Sequence, residues 1–118
     1  MKVLIVDDSV TMRKIAKNQF LALGISDIVE ANDGAEGLEV LEANMPVDIV
    51  TLDINMPRMD GLTALKNIRS NAAYKDIKII MVTSESEKKT VVEALKAGAN
   101  DYLVKPFTPD SFKEKLKL

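Results

Sequence analysis

Cysteine, histidine and tryptophan do not occur among the 118 residues. Without thiolate or imidazole there is no disulfide, no zinc-type ligand set, no Cys or His nucleophile and no Ser-His-Asp triad. The chain also cannot carry phosphohistidine. Long apolar runs are missing as well: stretches such as Val3 to Val6 and Ile79 to Val82 hold only four residues, far short of a membrane span or the apolar part of a signal peptide. Neither sign of charge dominates, with 16 basic against 18 acidic residues and a net of −2. No basic run marks a nucleic-acid footprint. A soluble, cytoplasmic protein is expected, with no direct nucleic-acid contact and no membrane insertion.

What is present is ordinary globular material, 47% apolar and 29% charged. A chain of this length buries roughly two thirds of its unfolded surface. One domain spanning 1–118 is expected, folding without staples. Its chemistry is left to carboxylate, hydroxyl and amine.

Five Val- and Ile-rich runs read as strands: Val3 to Val6, Asp27 to Ala31, Val47 to Leu52, Ile77 to Val82 and Tyr102 to Val104. Between and after them apolar residues recur at helical spacing: Met12, Ile15, Ala16, Phe20 and Leu23; Leu38 and Leu41; Leu62, Leu65 and Ile68; Val91 and Leu95; Phe112 and Leu116. Gly24 and Gly98 stand just past helical stretches, and Thr108-Pro109 offers an N-cap followed by proline. Strands apolar on both faces and separated by helices predict a parallel sheet covered on each side, a three-layer α/β sandwich. In such sheets the site forms at the carboxyl ends of the strands.

Those ends are polar. The first strand runs into Asp7-Asp8, the third into Asp53, the fourth into Thr83-Ser84 and the fifth into Lys105-Pro106. Two like charges about 4 Å apart repel by about 4 kcal/mol at an effective dielectric of about 20, so gathered carboxylates call for a cation. Mg²⁺ suits an all-oxygen site and completes its shell with water and phosphate oxygens. Lys105 offers a point charge and Thr83 a hydroxyl to oxygens that gain charge in phosphoryl transfer, and a carboxylate such as Asp53 can serve as nucleophile. Singly, each residue has a plainer role: Asp7-Asp8-Ser9 as a helix cap, Asp53 as a turn residue, Thr83 as the cap of a helix beginning near Ser86 or Glu87, Lys105 as a solvated strand end. Their shared position at one sheet edge favours chemistry.

These residues are similar to those of response-regulator receiver domains, and among them of stand-alone chemotaxis regulators. The likeness runs through Val6-Asp7-Asp8-Ser9, Thr11-Met12-Arg13-Lys14, Asp53-Ile54-Asn55-Met56-Pro57 with Met59-Asp60-Gly61, Val82-Thr83-Ser84-Glu85 and Lys105-Pro106-Phe107. The resemblance implies a doubly wound (βα)5, flavodoxin-like fold with a five-stranded parallel sheet in the order 2-1-3-4-5. It implies that Asp53 accepts a phosphoryl group, that Asp8, Asp53 and the Asn55 carbonyl bind Mg²⁺ (or Mn²⁺) directly, and that Asp7 does so through water. Thr83 and Lys105 would bind the phosphoryl oxygens, and the Lys105-Pro106 bond would be cis. Tyr102 resembles the switch aromatic that turns inward when the Thr83 hydroxyl moves. Asn55 and Glu85 are the residue types of fast-hydrolysing members, so rapid self-dephosphorylation is expected. Ile54 stands where the best-known chemotaxis members carry tryptophan.

By the same resemblance the donor is a histidine kinase. The output face comprises the fourth helix, fifth strand and fifth helix, with Lys88, Lys89, Glu93, Lys96, Tyr102, Lys113 and Lys115. Its partner would be a flagellar motor switch protein or another output protein, with a separate phosphatase a further candidate and the chain itself a monomer. A phosphorelay intermediate stays open, as does a receiver cut from a longer regulator, because the last helix, from about Pro109 to Leu118, is short. A haloacid-dehalogenase-like phosphatase is a more distant alternative. Such enzymes place a second Asp two positions after the nucleophile, where this chain has Asn55, and their acidic pair follows the nucleophile instead of preceding it. A flavin module would need a Ser, Thr and Gly phosphate loop after the first strand, where this chain has two acids.

Overall fold

The computed structural model describes residues 1–84 and 88–116. Strands β1 (Lys2–Val6), β2 (Asp27–Ala31), β3 (Ile49–Asp53), β4 (Lys78–Thr83) and β5 (Asp101–Val104) alternate with helices α1 (Val10–Ala22), α2 (Gly34–Asn44), α3 (Gly61–Arg69), α4 (Lys88–Lys96) and α5 (Pro109–Leu116). All strand pairs are parallel, and the sheet order is β2-β1-β3-β4-β5. This is the flavodoxin-like order expected from the resemblance. A 3-10 turn at Ala72–Tyr74 and a cis bond at Met45-Pro46 were not anticipated from the sequence.

Strand pleating sorts side chains into two cores, because successive residues point to opposite faces. On one face Leu4, Val6, Val50, Leu52, Ile79 and Met81 meet α2, α3 and α4 through Leu41, Leu65, Ile68, Val91 and Ala94. On the other, Val3, Ile5, Ile49, Ile80 and Leu103 meet α1 and α5 through Ala16, Phe20, Phe112 and Leu116. Phe20 and Phe112 pack edge to face with centroids 4.8 Å apart, a favoured aromatic geometry. The central strands β1, β3 and β4 are buried almost throughout, whereas β2 is mostly half-buried or exposed because it forms a sheet edge.

Two apolar residues assigned to helix core stripes face outward: Ile15 is 38% exposed and Leu95 40%. At 3.6 residues per turn each lies about 100° from a buried neighbour, Ala16 or Ala94. Those alanines let the helices approach the sheet closely, and the larger side chains swing to the flank. The punctuation is as expected. Gly24 and Gly98 follow α1 and α4 with φ of +85° and +113°, and Thr108 and Ser111 exchange hydrogen bonds across the start of α5, with Thr108 Oγ1 accepting from the Ser111 amide at 3.1 Å. Residues 117 and 118, included in the expected last helix, lie outside the described residues, as do Glu85, Ser86 and Glu87. The expected start of the fourth helix and the lifetime role of Glu85 therefore fall there.

Candidate functional site

The ladder hydrogen bonds continue one residue past the strands and fix where the polar side chains stand. The Asp7 amide donates to the Ala31 carbonyl at 3.1 Å, the Ile54 amide to Val82 at 3.1 Å and the Lys105 amide to Thr83 at 2.7 Å. The peptide bond after Lys105, to Pro106, is cis. Asp53 ends β3 and Thr83 ends β4, both buried. A Cβ on Gly61 would collide with the Asp53 carbonyl oxygen, so glycine is required where α3 begins against the strand carrying Asp53.

Asp7, Asp8 and Asp53 converge, each with a carboxylate oxygen within 4.8 Å of the others. Asp7 and Asp53 are buried and Asp8 is exposed. Lys105 Nζ lies between the buried pair, 3.3 Å from Asp7 Oδ2 and 3.2 Å from Asp53 Oδ1. Burial, then the Asp7 charge, pushes the Asp53 carboxyl up to about 6 against the opposing pull of Lys105. Burial works to lower the Lys105 pKa, but the Asp53 and Asp7 carboxylates outweigh it and hold the ammonium above its ordinary value. One ammonium thus meets two of the three clustered acids. The donor set is hard oxygen without nitrogen or sulfur, so these residues could hold a divalent ion of the Mg²⁺ type.

The plainer role of the first loop coexists with this one. Ser9 is the N-cap of α1, with Oγ accepting from the Met12 amide at 3.2 Å. Asp7 Oδ1 accepts from the Ser9 amide at 2.9 Å while Oδ2 meets Lys105. Arg13, quoted above only as part of a motif, reaches back from α1 to the Asp7 carbonyl at 2.6 Å and lies 3.5 Å from Glu30. Asn55 is exposed in the loop after β3, and the buried Thr83 hydroxyl donates to the Ser84 carbonyl at 3.0 Å.

A family model of the response regulator receiver domain matches residues 3–117. The chain belongs to the receiver family. It is 51% identical over 118 residues to the chemotaxis protein CheY1 of Helicobacter pylori, covering 100% of this chain and 95% of that protein. To the CheY homolog of Campylobacter jejuni it is 50% identical over 117 residues, 99% of this chain and 90% of that one. Among solved structures, Vibrio cholerae CheY4 superposes with a TM-score of 0.89 at 34% identity, over 98% of this chain and 95% of that one. The CheY of a CheX-CheY-BeF3-Mg²⁺ complex from Borrelia burgdorferi superposes with a TM-score of 0.90 at 37% identity, over 98% and 86%. This receiver is accordingly a CheY-like module of two-component signalling, not a substrate-turnover enzyme. None of its described helices is long and apolar enough to cross a membrane.

The residues assigned to the output face are unequal. Lys88, Lys89, Glu93 and Lys96 are exposed on α4, and Lys113 is exposed on α5. Lys115 is engaged: its Nζ lies 3.1 Å from Asp101 Oδ1 and 4.5 Å from the Tyr102 ring centroid. Val92, 52% exposed and not singled out from the sequence, and Leu95, assigned there to the helix core stripe, add exposed apolar surface to α4. Exposed apolar residues on an otherwise charged helix were the available signal. Between α4 and β5 a groove of about 350 Å³ has both Thr83 and Tyr102 in its wall, with Val91 and Leu95. Arg58 and Asp33, which belong to no motif read from the sequence, pair at 2.8 Å.

Proposed function

We propose that this single receiver unit takes a phosphoryl group from a histidine kinase onto Asp53, changes its α4-β5-α5 face and binds an output protein, the flagellar motor switch in chemotaxis. The observation that carries the reading is the buried Asp53 carboxylate held 3.2 Å from Lys105 Nζ beside two further acids. Asp8, Asp53 and the Asn55 carbonyl would hold Mg²⁺ directly and Asp7 through water; Mn²⁺ would serve in its place. When bound, the ion neutralises charge on the transferring phosphoryl oxygens.

An Asp53 oxygen attacks phosphorus, the P–O bond forms as the P–N bond to the kinase histidine breaks, and the leaving imidazole keeps the electron pair. Lys105 and Thr83 receive the phosphoryl oxygens, Lys105 by charge and Thr83 by its hydroxyl. Drawing the Thr83 hydroxyl toward the phosphoryl group opens space in the groove it shares with Tyr102, and the aromatic ring turns inward. Lys88, Lys89, Glu93, Lys96, Lys113 and Lys115 then present an altered surface to the partner, and a separate phosphatase can read the same state. Asn55 and Glu85 flank the acceptor and the threonine and favour rapid self-dephosphorylation. The relatives support the chemotaxis setting: they are chemotaxis proteins, and the Borrelia homologue was solved with CheX, beryllofluoride and Mg²⁺.

Acetyl phosphate with Mg²⁺ should add about 80 Da, one phosphoryl group, to the intact chain, mapping to Asp53. Equal labelling of Asp53→Asn would refute the assignment. Turnover of free phosphomonoesters would instead favour a phosphatase.

A further inference from the structure

Among the described residues Arg58 is the only non-glycine residue with a positive φ, +63°, a left-handed conformation that L side chains seldom adopt. It lies in the loop joining β3 to α3, three residues after Asn55. Its guanidinium forks onto Asp33 at the start of α2: Nε donates to Oδ2 at 2.8 Å and an η nitrogen to Oδ1 at 3.1 Å. Asp33 is buried and already committed as the α2 N-cap, accepting from the Glu36 amide at 2.9 Å. Next to this pair, the Gly34 amide donates to the Met59 carbonyl at 3.1 Å. The ends of the loop are closed by the Gly61 amide on the Ile54 carbonyl at 2.8 Å and by Asp60 capping α3.

A sparsely populated backbone conformation persists only where its surroundings over-determine it. Here they are two parallel charge-assisted hydrogen bonds, the geometry in which arginine binds a carboxylate most firmly. The Arg58 side chain is 63% exposed, which screens the attraction, but its partner is only 8% exposed and both partner oxygens are engaged. Hydrogen bonding from Arg58, then from the Glu36 amide, holds the Asp33 carboxyl below its ordinary range, so the pair stays ionised at neutral pH.

We propose that Arg58 and Asp33 form a clasp that ties the β3-α3 loop to the start of α2 and thereby sets the aim of the Asn55 carbonyl at the cation, with Arg58 as a positioning residue. This rests on the reading of Asn55 as a ligand. It concerns residues that no motif singled out, and it makes cation affinity depend on a contact between two residues that are not themselves ligands.

The test compares the full chain with Arg58→Ala, Arg58→Lys, Asp33→Asn and the Arg58→Ala/Asp33→Asn double variant, at a temperature where melting curves show all of them folded. Asn is as good an N-cap as Asp, so α2 keeps its cap in Asp33→Asn. Calorimetric titration with MgCl₂ should show about tenfold weaker binding in Arg58→Ala, as for other groups that orient metal ligands. Lysine should recover only part, since one ammonium cannot replace a planar fork. The double variant should bind no more weakly than either single one. Without metal, the Gly34 amide should exchange faster in Arg58→Ala. A purely structural contact would lower the melting temperature and leave Mg²⁺ affinity unchanged. That outcome, with the parent chain still taking up Mg²⁺, overturns the clasp alone. No Mg²⁺ uptake by the parent overturns the reading of the site and the clasp with it.

Discussion

Lys105 Nζ stands 3.2 Å from the Asp53 carboxylate, so the proposed nucleophile is in direct contact with the cation that offsets its charge. The backbone prepares this contact. The Lys105 amide bonds to the Thr83 carbonyl, and β3 and β4 run in register from Ile49 to Asp53, so the lysine projects beside the end of β3.

Replacing that ammonium by an isosteric apolar chain tests its role directly. Lys105→Met leaves Asp7 and Asp53 facing one another uncompensated, so the metal-free protein should melt at a lower temperature. Labelling by acetyl phosphate in saturating Mg²⁺ should slow on the order of 100-fold, the usual scale for losing one preorganised charge-stabilising group. An unaltered labelling rate would remove Lys105 from the site.

The raised Asp53 carboxyl has a signed consequence for stability. Its pKa is about 6 in the folded protein against 3.8 for an ordinary carboxyl, so between those values the folded state holds a proton that the unfolded chain has released. This group therefore favours folding at low pH, and its contribution declines as pH rises through that window, then levels off. In chelator the parent should lose stability relative to Asp53→Asn between those pH values and stay below it at pH 7. Parallel stability curves for the two proteins would contradict the shift.

Phe112 sits at the centre of the α1-α5 core, 1% exposed and 4.8 Å from Phe20. Phe112→Ala should cost about 3 to 5 kcal/mol in denaturant unfolding, the range for truncating a buried aromatic. A loss below about 1 kcal/mol would mean that α5 is not packed as described.

Phosphoryl lifetime provides a fourth check. With Asn55 two residues after the acceptor and Glu85 two residues after Thr83 in the sequence, phosphorylated protein freed of excess acetyl phosphate should lose its label rapidly without any other protein. A half-life of hours at neutral pH would contradict that assignment.

The chain's own pattern was sufficient for the alternation of strands and helices, the parallel sheet and the polar strand ends. Val- and Ile-rich runs such as Val3 to Val6 and the helical spacing of Leu62, Leu65 and Ile68 are local signals, and covering both faces of such strands leaves few architectures. Strand order was legible only through family resemblance, since periodicity carries no information about which strands are neighbours. The outward turn of Ile15 and Leu95 was hidden because a stripe of apolar residues does not say which of two adjacent positions the sheet will meet.

Composition and linear order by themselves determined that this protein has neither thiol nor imidazole and that Asp7, Asp8, Asp53, Thr83 and Lys105 end up at one edge. Tertiary structure alone decided that Lys105 bridges Asp7 and Asp53 and that Asp53 is buried enough to be raised. It also decided that Arg58 adopts a left-handed conformation to reach Asp33, 25 residues earlier in the chain. The physical reason is range. Hydrophobic periodicity acts between residues a few positions apart, whereas electrostatics and hydrogen bonding depend on distances in space that only the folded sheet and its crossovers create.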